Sequence, residues 1–443
     1  MNLLSGYGEA LRAAELVPRI GWVRRLQGLA IEAEGPQADL GEMCRVLPDG
    51  DGGACAPVLA EVVGVEPGRV VLLPYAPLRG IGAGSRVVAL GHASRVAVGA
   101  GLVGRVIDGF GEPLDGRPRP ALRQWADLHA AATNPMERPR ISRLLETGVR
   151  AIDAFLPLGE GQRMGIFAGS GVGKSSLLGM ITRHARADLN VVALVGERGR
   201  EVREFIEEQL GEAGLRRSIV VVATSEQPAL ARIRAAHAAV AIARHFAQEG
   251  GVVLLTMDSI TRLAMARREV GLAAGEPATA RGYTPSVFAE LPQICERCGT
   301  LPSGGSVTAL LTVLVEGDDL NEPVADSMRA ILDGHIVLSR ELAQQAHFPA
   351  IDLLRSASRL VKDLASAPER ELARDAVRHL ALLERNRQLV ELGAYTAGAN
   401  PALDTALALE AALFAWLRQE AGGAPRAEAL QELRAILARR SAP

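Results

Sequence analysis

The sequence predicts an α/β protein in three parts: a short helix and small β-barrel over residues 1–92, a P-loop core on a mostly parallel sheet over 93–365, and a helical domain over 366–443. Three observations carry this prediction. From residue 20 to 92, short apolar runs such as "VVLLPYA" and "RVVAL" are broken by Gly, Pro and Asp about every eight to twelve residues, the rhythm of a small barrel. Beyond residue 140 the runs "GQRMGIFAG", "NVVALVGE", "SIVVVAT", "GVVLLTMD" and "SVTALLTVLVEG" alternate with helical stretches. Unbroken apolar runs of that kind are strands buried on both faces of a parallel sheet. After residue 365, "ERELARDAVRHLALLERNRQLVEL" and "DTALALEAALFAWLRQE" read as helices, with a last one near 425–440.

The remaining stretches fit between these parts. Leu3, Tyr7, Leu11 and Ala14 recur at helical spacing before Pro18, a short amphipathic helix whose apolar stripe either docks a partner or packs on the protein's own barrel. "GRVIDGFGEPLDGRP" reads as a turn-rich passage from the barrel into the core. No repeat and no low-complexity tract interrupts the chain.

Composition narrows the function classes. With 48% hydrophobic and 23% charged residues the chain is globular, and at 443 residues it exceeds one ordinary core. A formal net charge of −2 speaks against a general nucleic-acid binder. No apolar run approaches the ~18 residues of a membrane span, and "MNLLSGYGEALRAAEL" lacks a leader's charged and apolar regions, so a cytoplasmic location is expected. Four cysteines suit a reducing compartment. Cys295 and Cys298 form a lone CxxC inside a helical pattern; only Cys44 and Cys55 remain to complete four ligands, so buried thiols are expected rather than zinc.

Lysine is the most informative residue type. Of 49 basic residues only Lys174 and Lys362 are lysine, and Lys174 falls within "AGSGVGKSS". A compact ammonium on a flexible stem fits inside a tight glycine loop where a planar guanidinium would collide. The loop sits between a strand and a helix, the context of a phosphate-binding P-loop. Gly169, Ser170, Gly171, Val172 and Gly173 supply inward N–H groups, with Ser175 and Ser176 at the helix start. Lys174 would reach the β and γ phosphates and Ser175 would offer its hydroxyl to Mg²⁺. The strict pattern's first glycine is here Ala168.

Two carboxylates end apolar strands. Asp258 closes "GVVLLTMD", where it would serve Mg²⁺, and Glu197 closes "NVVALVGE", where it would orient or deprotonate the attacking water. In a parallel sheet both belong on the same carboxyl edge as the P-loop. The plainer alternatives are a helix cap for Asp258 and an ion pair of Glu197 with Arg198 or Arg200. The absence of an NKxD segment disfavours guanine.

From about residue 98 to 400 the chain resembles the hexameric rotary ATPase family that includes the α and β subunits of ATP synthase. The signature-like segment is "PAIDLLRSAS". "FAGSGVGKSSLLGMI", "VGERGREVREF", "GYTPSVFAELP" and "ADSMRAILDGHIVLSRELA" are most similar to the flagellar and type III secretion export ATPases. The resemblance implies a RecA-like core between a β-barrel and a helical domain, and a homohexamer. It implies Glu197 as the catalytic glutamate, Arg198 and Arg262 as site-lining arginines, Phe348 as the aromatic packed on adenine, and Arg359 as an arginine finger reaching a neighbour's nucleotide. The implied partners are a cytoplasmic regulator, stalk-like export proteins, a membrane export gate, export substrates and their chaperones, at the inner face of the membrane.

The expected function is ATP hydrolysis energising flagellar protein export. A virulence secretion ATPase and a catalytic subunit of an ATP synthase are the alternatives. A nucleic-acid motor is disfavoured, because residues 1–92 offer only Tyr7, Trp22 and Tyr75 as stacking aromatics, with eight arginines against ten carboxylates.

Overall fold

A computed structural model of the chain describes residues 17–48, 56–315, 317, 319–420 and 422–439. The helix expected over residues 1–16, and Cys55, lie outside the described residues. Six strands form the first part: Ile20–Gln27 (β1), Ala30–Glu34 (β2), Glu42–Leu47 (β3), Val58–Glu66 (β4), Arg69–Pro74 (β5) and Arg86–Ala93 (β6). They close into an antiparallel barrel in the order β1-β2-β5-β4-β3-β6. Alternation drives the closure: Val58, Ala60 and Val62 of β4 point inward onto Ile31, Leu72 and Val87.

The turn-rich passage after the barrel carries short strands of its own. Arg95–Val98 (β7) pairs with Gln124–Asp127 (β9), while Arg105–Ile107 (β8) joins the core sheet as its edge strand. Arg105 clamps Asp115 at 2.6 and 2.9 Å, holding the turn against β8 and keeping the Asp115 carboxyl well below the usual carboxylate range. Three residues between turns carry too weak a pattern to read as a strand.

The core sheet adds Arg163–Ala168 (β10), Leu189–Glu197 (β11), Ser218–Thr224 (β12), Val252–Asp258 (β13), Gly299–Thr300 (β14), Ser306–Leu314 (β15), Gly334–Leu338 (β16) and Ile351–Ser358 (β17). Its order is β17-β16-β10-β15-β13-β11-β12-β8, with β14 beside β15. All neighbours are parallel except β16–β17 and β14–β15. Every residue of β11 is buried, and its alternate residues enter two separate clusters. Val191, Ala193 and Val195 meet helix Ala229–Gln248, whereas Val192 and Leu194 join the cluster of Leu177, Leu178 and Ile181 from helix Lys174–His184.

The C-terminal helices Ala367–Glu391, Pro401–Leu417 and Arg426–Ala438 extend that second cluster through Leu409, Leu413, Trp416, Leu430 and Leu433. The first begins with a capping box between Ser366 and Glu369. Among the described residues no helix is long and apolar enough to cross a membrane.

Candidate functional site

Three parallel strands deliver the site to one edge of the sheet. β10 ends at Ala168, and Gly169–Gly173 turn the chain into helix Lys174–His184. Gly171 and Gly173 have φ values of 76° and 85°, a region that L side chains avoid, so the loop's curvature depends on them. Val172 is buried and anchors the loop, while Ser170, Gly171, Ser175 and Ser176 face solvent where a phosphate chain would lie.

Lys174 connects the three strand ends. Its Nζ contacts Asp258 Oδ1 at the end of β13 and lies 3.8 Å from Glu197 Oε1 at the end of β11. Thr312 Oγ1 on β15 donates to the same Asp258 oxygen at 2.8 Å. Asp258 and Glu197 are buried, so the shared cation balances two charges removed from water. Phosphate oxygens in the loop would compete for that ammonium.

Glu197 owes its place to Gly196. The β11–β12 register breaks between Val195 and Glu197, and Gly196 at the break has φ 74°. A Cβ there would meet Arg262 Cδ at 2.8 Å and Cβ at 2.9 Å. The missing side chain thus lets Arg262 lie across the bulge, with its Nε 3.3 Å from Glu197 Oε1. Arg262 is itself fixed at the start of helix Ile260–Ala273, where Ser259 Oγ accepts its N–H at 3.3 Å.

Burial pushes the Glu197 carboxyl up to about 7, with the Asp258 charge adding to the rise and Lys174 opposing it. A carboxylate poised there exchanges protons near neutral pH, as a general base requires. Ser175, Glu197, Glu201 and Asp258 line a common cavity of about 110 Å³. Its hydroxyl and carboxylate oxygens are hard donors of the kind Mg²⁺ takes.

The other sequence-derived residues fall in different places. Phe348 packs on the loop, since a Cβ on Gly173 would lie 3.1 Å from two of its ring carbons. Its carbonyl accepts the Gln419 N–H at 2.8 Å, tying the ring's segment to the C-terminal helices. Arg198 points outward and is 66% exposed; it and Arg200 pair with Glu201, each at 3.6 Å, and Glu197 takes Arg262 instead.

Arg359 lies at the opposite edge of the sheet. Met164 of β10 pairs with Gly334, and Gly334 with Ser358, so Arg359 sits beyond the amino end of β10. Roughly 15 Å of strand, at ~3.3 Å per residue, separates it from the P-loop, beyond the reach of one side chain.

Sequence reading missed Gly196 and Thr312. A threonine inside the apolar run "SVTALLTVL" was a usable signal for Thr312; the role of Gly196 is visible only in the register break. Cys295 and Cys298 are buried thiols, the latter donating to the Ile294 carbonyl at 3.6 Å, and burial pushes Cys298 up to about 11.

Glu197→Gln keeps the shape and removes the proton acceptor. The expected result is retained nucleotide binding with hydrolysis slowed by about 10²-fold or more, read by single-turnover quench. Wild-type kcat/KM should fall as pH drops below about 7, a limb that the variant's residual rate lacks. The folded carboxyl ionises above its usual 4.5, so its stabilising contribution is complete below that value and is lost as pH rises through about 7. Glu197→Gln should therefore raise the melting temperature at about pH 8 and not at about pH 4.

Comparison with known proteins places this geometry in a lineage. Residues 148–358 match the nucleotide-binding domain of the ATP synthase alpha/beta family, and residues 365–435 match the T3SS EscN ATPase C-terminal domain. The flagellum-specific ATP synthase of Bacillus subtilis is 49% identical over 411 residues, which cover 93% of each chain. The type 3 secretion system ATPase of Xanthomonas euvesicatoria is 47% identical over 389 residues, 88% of this chain and 87% of that one. The assembled ATPase EscN of enteropathogenic E. coli, solved with its central stalk EscO, superposes with a TM-score of 0.87 at 40% identity, covering 94% of this chain and 100% of that one. A P-loop lysine and two strand-end carboxylates on one edge, inside a barrel–core–helix chain matched along nearly its whole length, show that the protein belongs to the family of flagellar and type III secretion export ATPases.

Proposed function

We propose that this chain hydrolyses ATP to energise export of flagellar subunit proteins through a type III secretion apparatus. The observation that carries the reading is the meeting of Lys174, Asp258 and Glu197 at one sheet edge, with Glu197 pushed up to about 7. ATP enters with its phosphates against the N–H groups of Gly169–Gly173 and Lys174, and its adenine against Phe348. Lys174 moves from the carboxylates to the terminal phosphates. Ser175 and Asp258 hold Mg²⁺, which when bound neutralises phosphate charge. Glu197, held by Arg262, orients the water and takes its proton. Arg198 adds positive charge at the mouth of the site.

Copies of the chain form a homohexameric ring in which Arg359 completes a neighbour's site. A finger on the edge opposite the P-loop has no other nucleotide to reach. The relative solved with its central stalk supports a stalk protein in the ring. The ring works in the cytoplasm against the inner membrane's export gate, receiving substrates with their chaperones and a regulator, and residues 1–16 serve as a docking segment.

Deleting the gene in its own bacterium should abolish filament assembly and flagellin export, restored by the wild-type gene and not by Glu197→Gln. Normal motility with loss of injected effectors would move the cargo to a virulence system, the reading that the Xanthomonas relative favours.

A further inference from the structure

Beside Arg359 lies a cavity of about 300 Å³ bounded by Asp326, Arg329, Leu332, His335 and Arg359. Its two guanidiniums have no carboxylate partner among the described residues. The Arg359 side chain makes one long hydrogen bond among the described residues, Nη2 to the Arg329 carbonyl at 3.4 Å. Arg329 Nε is buried and donates to nothing.

Asp333, whose backbone carbonyl accepts the Arg359 N–H at 2.9 Å, has its carboxylate committed to Arg163, accepting its backbone N–H at 3.0 Å, its Nε at 3.1 Å and its Nη2 at 3.2 Å. His335 brings no negative charge to the pair, and its Nε2 is taken up by the Arg355 carbonyl at 3.0 Å. Burial, reinforced by Arg329 and Arg359, also holds the His335 imidazole below its usual range and so keeps it neutral. A surface arginine left to water needs no explanation, but a buried donor without a partner stays desolvated and uncompensated until an acceptor arrives. Two forked donors facing one space suit a tetrahedral oxyanion.

We propose that Arg329 is a second arginine acting in trans, forming with Arg359 one anion site for the terminal phosphate of a nucleotide held in a neighbouring copy's P-loop. This rests on the ring reading above. The Arg329 carbonyl orients the Arg359 guanidinium, and the Arg329 fork adds donors to the charge that develops on the transferred phosphoryl group.

The test uses the full chain. Arg329→Gln should lower kcat by roughly 10²-fold, the cost of removing one preorganised donor, with little change in ATP affinity. Arg329→Lys, which keeps the charge without the fork, should recover part of the rate. Rings mixed from Arg329→Gln and Glu197→Gln subunits should regain activity, since some interfaces pair an intact Glu197 with an intact Arg329. A folded Arg329→Gln ring with wild-type kcat overturns the proposal, as does wild-type kcat in Arg329→Lys at unchanged melting temperature if the glutamine variant melts early. Mixtures that stay slow would mark a defect in cis or a site for free phosphate, and overturn it too. If rings of Arg359→Ala with Glu197→Gln recover while those with Arg329→Gln do not, this proposal alone fails; if neither recovers, the ring reading fails beneath it.

Discussion

Lys174→Ala is expected to leave no measurable ATP hydrolysis and to weaken nucleotide binding, because the P-loop's only side-chain cation is lost while its backbone donors remain. The structure adds a second consequence. Lys174 also balances Asp258 and Glu197, so alanine strands two buried carboxylates. Removing one partner of a buried ion pair costs about 3–5 kcal/mol, and the melting temperature should fall accordingly. Adding Glu197→Gln to the alanine variant should restore part of that stability and none of the activity. Lys174→Arg should also fail, since a broad planar guanidinium collides with a tight glycine loop that a compact ammonium fits. Turnover at the wild-type rate in either single variant would remove the phosphate site from this loop.

Arg359→Ala should lose most hydrolysis while keeping nucleotide affinity. Fingers of this kind act on transition-state charge and are worth ~10³–10⁵ in rate in other phosphoryl-transfer enzymes. Mixing gives the decisive result. Rings made from Arg359→Ala and Glu197→Gln subunits should recover some activity, because one order of neighbours pairs an intact Glu197 with an intact Arg359. The opposite order pairs two defects, so recovery should be partial and vary with the subunit ratio. Mixed rings confirmed by native mass, with no recovery at any ratio, would show that Arg359 does not act across an interface.

The main architecture, and which residues stand at the strand ends, were legible in the sequence alone. The runs that became β10, β11, β12, β13 and β15 are apolar on both faces and were readable without knowledge of their partners. The parallel-sheet rule then placed Lys174, Glu197 and Asp258 on one edge. Phe348 and Arg359 came only from resemblance, since neither stands at the end of such a run.

The rest depends on contacts between residues far apart in the chain. β8 is three residues long and exists because Ile219 and Val221 of β12 give it a parallel partner. That Arg262 rather than Arg198 faces Glu197 follows from the register break at Gly196, and that Lys174 sits between two carboxylates follows from strand order. The antiparallel turn of β17 carries Arg359 to the edge opposite the P-loop. Local patterns set which residues are strand, helix or turn; strand order and register set which side chains meet, because those are chosen by packing energy summed over the whole sheet.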